Sequence, residues 1–383
     1  MTRSFFASME AARRLVLQND LTEATALIQA QLSGAAPSFD TPPNPAPAFA
    51  GPTLELHAEP AASPSPKPSS AAPSGWHAAP KQAAPRTRPR FPLPGMKAHG
   101  GMKAPTLPPG ARFESLRHEG PHGARAYRLY TPSRPSEDPR PLVLMLHGCT
   151  QNPEDFAIGT RMNALAEEMN VLVAYPEQPR AANSSLCWNW FEPAHQRRGA
   201  GEPAILAGIV EDIARSNPVD RTRIFAAGLS AGGAMAAVLG AAYPDLLAAV
   251  GVHSGLPQGS ADTVASALAV MRSGKAPGRG TARGARTIVF HGTADRTVNP
   301  INGEQLAGLA DGDARGAETR EGASGGRAFT RTIRPAGADT PAIEHWRIEG
   351  LGHAWSGGDA GGSHSDPIGP DASREMLRFF LQS

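Results

Sequence analysis

Eleven consecutive residues near the middle of the chain, Arg223-Ile224-Phe225-Ala226-Ala227-Gly228-Leu229-Ser230-Ala231-Gly232-Gly233, constrain the fold more than any other stretch. A short apolar run leads into Gly-x-Ser-x-Gly, and small residues follow. A serine on a tight strand-to-helix turn points its hydroxyl away from the backbone. Bulky neighbours would clash in such a turn, so Gly228, Gly232 and Gly233 have a steric task. The small-residue helix that follows, Ala234 to Leu239, aims its positive end at the serine and favours negative charge there. The pentapeptide alone also fits an ordinary Gly-rich turn, because such matches recur by chance. The strand before it and the helix after it favour a catalytic serine.

Around this turn, strand and helix patterns alternate. Strands are predicted over 122–131, 142–148, 171–176, 224–227, 246–252, 287–292 and 343–348, and helices over 156–168, 202–216 and 371–381. The run Leu142-Val143-Leu144-Met145-Leu146 is continuously apolar, as expected of a central parallel strand. The alternation predicts an α/β fold with a mostly parallel sheet covered by helices on both faces. Two Gly-, Arg- and Ala-rich stretches, 273–285 and 310–328, are predicted to be exposed loops.

A serine hydroxyl needs a base to take its proton, and the base needs an orienting acid. In parallel sheets such groups gather at the carboxyl ends of strands. Asp295 follows the strand 287–290 within His291-Gly292-Thr293-Ala294-Asp295, and His353 follows the strand 343–348 on a Gly-flanked loop. The chain order Ser230, Asp295, His353 is the order that α/β-hydrolases use. His147 and His291 end strands before Gly and are expected to satisfy loop backbone groups. His253 ends a strand but precedes the acid, and His364 lies in a Gly-Ser loop. Asp245 and Asp262 are rival acids without a clean strand end before them. A developing oxyanion needs two preorganised N–H donors, and these are expected from the backbone of Ala231 and of Cys149.

Cys149 and Cys187 permit at most one disulfide and cannot form a cysteine-only zinc site. A Cys149–Cys187 bridge would pin an aromatic loop against the oxyanion loop, and the alternative is two buried thiols. Trp188, Trp190, Phe191 and Trp355 are expected to line a substrate groove, with core packing as the competing role.

Composition separates this region from what precedes it. The chain has 383 residues, of which 41 are Gly and 38 Pro, and the Pro is concentrated ahead of residue 111. Residues 1–34 carry helical spacing in two pieces, with Asp20 and Glu23 as a capping box for the second. Residues 35–110 are rich in Pro, Ala and Ser and read as a linker, basic toward its end at Arg86, Arg88 and Arg90. The folded α/β domain is then expected over 111–383. The net charge of +2 demands neither nucleic acid nor an anionic membrane as partner. No apolar run is long enough for a membrane span, and no signal peptide is apparent at the N-terminus. Residues 1–34 could support self-association or docking on a hydrophobic granule.

Five ordered motifs carry a resemblance: Leu146-His147-Gly148-Cys149-Thr150-Gln151, Cys187-Trp188-Asn189-Trp190-Phe191, Gly228 to Gly233, His291 to Asp295, and Gly352-His353-Ala354-Trp355-Ser356-Gly357-Gly358. Together they resemble the polyhydroxybutyrate (PHB) depolymerase-type esterases over residues 115–383. The resemblance implies an α/β-hydrolase fold, a serine carboxylesterase mechanism, an ester or polyester substrate, and neither cofactor nor metal. It places the nucleophile at Ser230, the acid at Asp295 and the base at His353. It also implies an extracellular bacterial polymer-degrading enzyme, with the cytoplasm as alternative because no signal peptide is apparent. The family is similar to feruloyl and acetylxylan esterases, so the acyl group stays open. A granule-binding protein with a residual hydrolase fold and a serine peptidase of the same fold are the rival readings.

Overall fold

The computed structural model describes residues 106–274, 284–309, 316–337 and 341–382. All of them fall in the unit Pro92–Ser383. The helical segment expected over 1–34 lies outside the described residues, as does the expected linker 35–110 apart from residues 106–110.

Ten strands of the described residues form one sheet in the order β1-β2-β4-β3-β5-β6-β7-β10-β9-β8. The strands are β1 (Arg112–Gly120), β2 (Gly123–Thr131), β3 (Arg140–Leu146), β4 (Leu172–Pro176), β5 (Val219–Leu229), β6 (Ala249–His253), β7 (Arg286–Gly292), β8 (Glu318–Ser324), β9 (Arg327–Arg334) and β10 (Ile343–Ile348). The six from β4 to β10 in that order pair in parallel, and antiparallel strands extend both margins. The helices are α1 (Pro153–Thr160), α2 (Met162–Met169), α3 (Gly201–Ser216), α4 (Ala231–Ala242), α5 (Val264–Ser273), α6 (Ile301–Leu306) and α7 (Ala372–Leu381).

Period-two alternation explains how one apolar strand serves two cores. Leu142, Leu144 and Leu146 of β3 point to one face, with Ile224 and Ala226 of β5. There they meet Leu206, Ile209, Val210 and Ile213, which recur at helical spacing along α3, and Met235 and Leu239 of α4. Val143 and Met145 point to the other face with Phe225 and Ala227, against Phe156 of α1, Met162 and Leu165 of α2, and Met376, Leu377 and Phe380 of α7.

The structure goes beyond the sequence expectation in several local features. The helix predicted over 156–168 is two helices, because Arg161 adopts a left-handed conformation with φ 56° and caps α1 through an N–H···O bond to Ile158. A strand occupies Glu318–Ser324 inside the stretch expected to be loop, paired with β9 at the sheet margin. Its polar residues suit an edge strand exposed on both faces, which leaves no apolar alternation to read. β1 has the same polar, exposed character and is held by pairing with β2. Helix α5 is capped at Thr263, whose side chain accepts the Ser266 N–H.

Candidate active site

The strand order reverses direction between β3 and β5. The chain leaves β3 for α1, α2 and β4 on one side, while β5 feeds β6 on the other. Loops that diverge from neighbouring strands open a crevice at their carboxyl ends. Ser230 directly follows β5 and Cys149 follows β3, so both lie at this crevice.

Ser230 has φ 57° and ψ −119°, a strained conformation for a residue with a side chain. The turn has no room for larger neighbours. A Cβ at Gly232 would lie 2.0 Å from Leu146 O and 2.6 Å from His147 O, and one at Gly228 would lie 2.4 Å from the Gly232 carbonyl carbon. The Ser230 N–H donates to His253 O at 2.9 Å, which ties the turn to the end of β6. Ala231 is the first residue of α4, so its N–H points out of the helix start.

Asp295 is buried on the loop after β7. Its Oδ1 accepts the N–H groups of Thr297 and Val298, each at 2.9 Å, and its Oδ2 accepts from His353 Nδ1 at 2.7 Å. The Nε2–H of His291 donates to Val298 O at 2.9 Å and lies 3.5 Å from Asp295 Oδ2. Burial raises the Asp295 carboxyl pKa, but hydrogen bonds from His291 and His353, and their charges, outweigh it and hold the group far below the ordinary carboxylate range. Hydrogen bonds lace the acid and base loops together, from Thr293 N to Ile348 O, Ala294 N to Leu351 O and Gly350 N to Thr293 Oγ1.

His353 and Ser230 are not hydrogen-bonded to each other in this structure. Their loops meet through His253. Its carbonyl takes the Ser230 N–H, and its Nε2 accepts the N–H of Ser356, three residues beyond His353, at 3.1 Å. The His253 ring stacks between Phe290 and Trp355, with centroids at 5.8 and 5.1 Å. Burial, followed by the neighbouring charges of His291 and His353, pushes its pKa down to about 3, so it stays neutral. His253 therefore joins the nucleophile turn to the base loop. In sequence it was legible only as one more strand-end histidine.

The remaining expected residues are placed as follows. Cys149 and Cys187 are joined by a disulfide, with sulfurs 2.03 Å apart. Trp188, Trp190 and Trp355 are buried and belong to the hydrophobic cores. The Trp188 Nε1–H donates to His147 O at 3.1 Å, and that of Trp355 to Ser373 Oγ at 3.1 Å. Phe191 is partly exposed. The rival acids are engaged elsewhere, Asp245 with Arg198 and Asp262 with the Ser266 hydroxyl. The ring of His364 stands 6.4 Å from that of His353. Among the described residues no cluster of three His, Cys, Asp or Glu is placed to hold a metal ion, and no helix is long and apolar enough to cross a membrane.

Sequence reasoning missed the polar support beneath the aromatic loop. Glu202, at the start of α3 and buried, accepts from Gln178 Nε2 at 2.5 Å, Asn189 N at 2.8 Å and Asn189 Nδ2 at 2.9 Å. A single carboxylate in the first turn of a helix has an ordinary local explanation as a helix-dipole partner, so its sequence position gives no sign of this task.

The strand order, the serine at the end of β5 and the helices on both faces define an α/β-hydrolase. The acetyl xylan esterase of Aspergillus awamori, a solved structure, shares this fold at TM-score 0.51 and 21% identity, over 63% of this chain and 94% of that one. The family described as "Esterase PHB depolymerase" matches residues 125–321, more than half of the chain, and the protein belongs to that family. The poly(3-hydroxyalkanoate) depolymerase C of Paucimonas lemoignei is 31% identical over 226 residues, 56% of this chain and 54% of that protein. Feruloyl esterase B of Neurospora crassa is 29% identical over 201 residues, 47% of this chain and 66% of that protein. The matches thus span 54% and 66% of the length of these two curated relatives.

Proposed function

We propose that the chain is a serine carboxylesterase that cleaves ester bonds of polyhydroxyalkanoate, as polymer or as 3-hydroxybutyrate oligomers. His353 takes the proton of Ser230 as the hydroxyl oxygen attacks the ester carbonyl. The amides of Ala231 and Cys149 hold the oxyanion, and the alcohol leaves with the proton from His353. Water, activated by the same imidazole, then releases the acid and restores the serine. Asp295 keeps Nδ1 protonated, so that Nε2 is free to act as base.

The observation that carries this reading is the 2.7 Å bond between Asp295 and His353, on a loop joined through His253 to the strained Ser230 turn. The polyester substrate is favoured by the family match and by the depolymerase at 31% identity. A second reading, hydrolysis of feruloyl or acetyl esters on xylan, is favoured by the feruloyl esterase at 29% identity and by the "Probable acetylxylan esterase A" of Aspergillus fumigatus at 28%.

The full chain and Ser230→Ala can be compared on 3-hydroxybutyrate oligomers, amorphous polymer, feruloyl esters and acetylated xylan. Turnover of the oligomers by the parent and none by Ser230→Ala is expected. Preferred turnover of feruloyl or acetyl esters would move the assignment to the second reading. Ester turnover retained by Ser230→Ala would remove the nucleophile assignment. Cleavage of peptides and not of esters would transfer the chain to the peptidases of this fold.

A further inference from the structure

The backbone between His147 and Gln151 can be followed group by group. His147 O accepts the Trp188 Nε1–H at 3.1 Å. Gly148 N–H donates to Gln151 Oε1 at 2.9 Å. Gly148 O accepts from His147 Nδ1 at 2.8 Å and from Gln151 N at 3.3 Å. Cys149 O accepts the Thr150 hydroxyl at 2.6 Å, and Thr150 N–H donates to Ser185 O at 2.8 Å. The Cys149 N–H is the group in this bend that donates to no acceptor among the described residues.

That N–H belongs to the same peptide unit as Gly148 O. Fixing the carbonyl end of a planar peptide fixes the direction of its N–H. The shorter of the two bonds that hold this carbonyl comes from the ring of His147. A carbonyl only accepts, so Nδ1 carries the proton. The other ring nitrogen, Nε2, accepts the N–H of Gln178 at 3.1 Å, so it carries none. Two backbone groups therefore select one neutral tautomer. Burial lowers the His147 pKa to about 4 and keeps the ring neutral across the ordinary working range. Gln178 is itself held, its Nε2 donating to Glu202 Oε1 and to Cys187 O at 2.8 Å.

We infer that His147 is a positioning residue for catalysis, whose Nδ1–H holds the Gly148–Cys149 peptide with the Cys149 N–H aimed at the oxyanion. This rests on the proposed role of Cys149 as oxyanion donor. The histidine itself touches no substrate. Without its proton on Gly148 O the carbonyl keeps only the longer bond from Gln151 N, at 3.3 Å, and the donor loses its fixed aim at the moment when charge develops. Substrate binding in the ground state is left largely intact.

The test compares His147→Asn and His147→Gln with the parent. The asparagine Nδ2–H can occupy the place of the histidine Nδ1–H, whereas the longer glutamine places its amide near the Nε2 position. On a short-chain p-nitrophenyl ester, His147→Gln is expected to lose about 10²- to 10³-fold in kcat, the usual effect of removing one oxyanion donor, with KM within about threefold of the parent. Affinity for an alkyl trifluoromethyl ketone, whose adduct carries an oxyanion, should fall in parallel. His147→Asn should recover most of the lost kcat. Equal kcat in the parent and both variants, or losses shared between kcat and KM with no recovery in His147→Asn, would overturn the inference. If the variants do not fold, a crystal structure of the parent with the trifluoromethyl ketone decides. The inference requires the adduct oxygen at about 3 Å from Cys149 N with His147 Nδ1 still on Gly148 O, and a peptide turned away overturns it. A parent that turns over no ester defeats the proposed function and this role with it. An active parent with indifferent His147 variants defeats the role alone.

Discussion

Asp295 accepts the Nδ1 proton of His353 at 2.7 Å while its second oxygen is held by two backbone N–H groups at 2.9 Å. The carboxylate therefore has one orientation, and it dictates which imidazole nitrogen stays free. Asp295→Asn keeps the shape but can offer an N–H where an acceptor is needed, favouring the opposite tautomer. A fall in kcat of about 10⁴-fold on a p-nitrophenyl ester is expected. Asp262→Asn should leave turnover near the parent level, since Asp262 serves the start of α5. The reverse pattern would show that the acid is misassigned.

The Ser230 backbone, with φ 57° and ψ −119°, predicts an opposition between stability and activity. Strain of this kind costs about 1–3 kcal/mol. Glycine relieves it, at about 0.5–1 kcal/mol of extra chain entropy in the unfolded state. Ser230→Gly should abolish turnover and still raise the stability by about 1 kcal/mol, seen as a higher urea midpoint at unchanged slope. Ser230→Ala should abolish turnover without that gain. A Ser230→Gly protein that is less stable than Ser230→Ala would contradict the strain.

Three buried histidines set the response to acid. Burial is the largest cause in each, and it lowers the pKa of His147 to about 4 and those of His253 and His345 to about 3. In the unfolded chain an imidazole titrates near 6.5. Between these values the unfolded state binds protons that the folded state does not. The stability is therefore complete above about pH 6.5 and falls as the pH drops toward 4, by a few kcal/mol per histidine at most. Melting temperature should fall steeply from pH 6.5 to 4.5, and His345→Gln should flatten the slope. A melting temperature constant over that interval would refute the assignment.

The Cys149–Cys187 bridge spans 38 residues of sequence. Closing a loop of that size in the unfolded chain is worth about 3–4 kcal/mol. Cys187→Ser, or reduction of the parent, should lower the melting temperature accordingly. Alkylation of the unreduced, denatured protein followed by mass measurement should label no thiol. Two labelled thiols would mean that the protein as prepared is not bridged.

Much of this site could be read in the sequence because its parts follow strand ends. Ser230, Asp295 and His353 each stand just past an apolar run whose period and length announce a strand in a covered sheet. The margins of the sheet were less legible. β1 and β8 are polar because they face water, and their strand character comes from pairing with a partner across a turn. The aromatic cluster left two roles open for a related reason. Their motifs set Trp188 and Trp355 beside the site residues in sequence, but which face each ring turns to is decided by acceptors on His147 and Ser373. The break of the helix into α1 and α2 rests on one left-handed arginine, a conformation that its residue type does not announce.

The bend from His147 to Gln151 bears on attempts to move this chemistry to another protein. Its partners come from Ser185, Trp188 and Gln178, and Gln178 leans in turn on Glu202. Grafting the pentapeptide alone would transplant the letters without the scaffolding, and the donor would wander. A working graft has to carry the whole cross-linked segment and the first turn of the following helix. By the same logic, a natural chain that keeps the motif but has lost the glutamate or the tryptophan is a poor candidate for the same catalytic power.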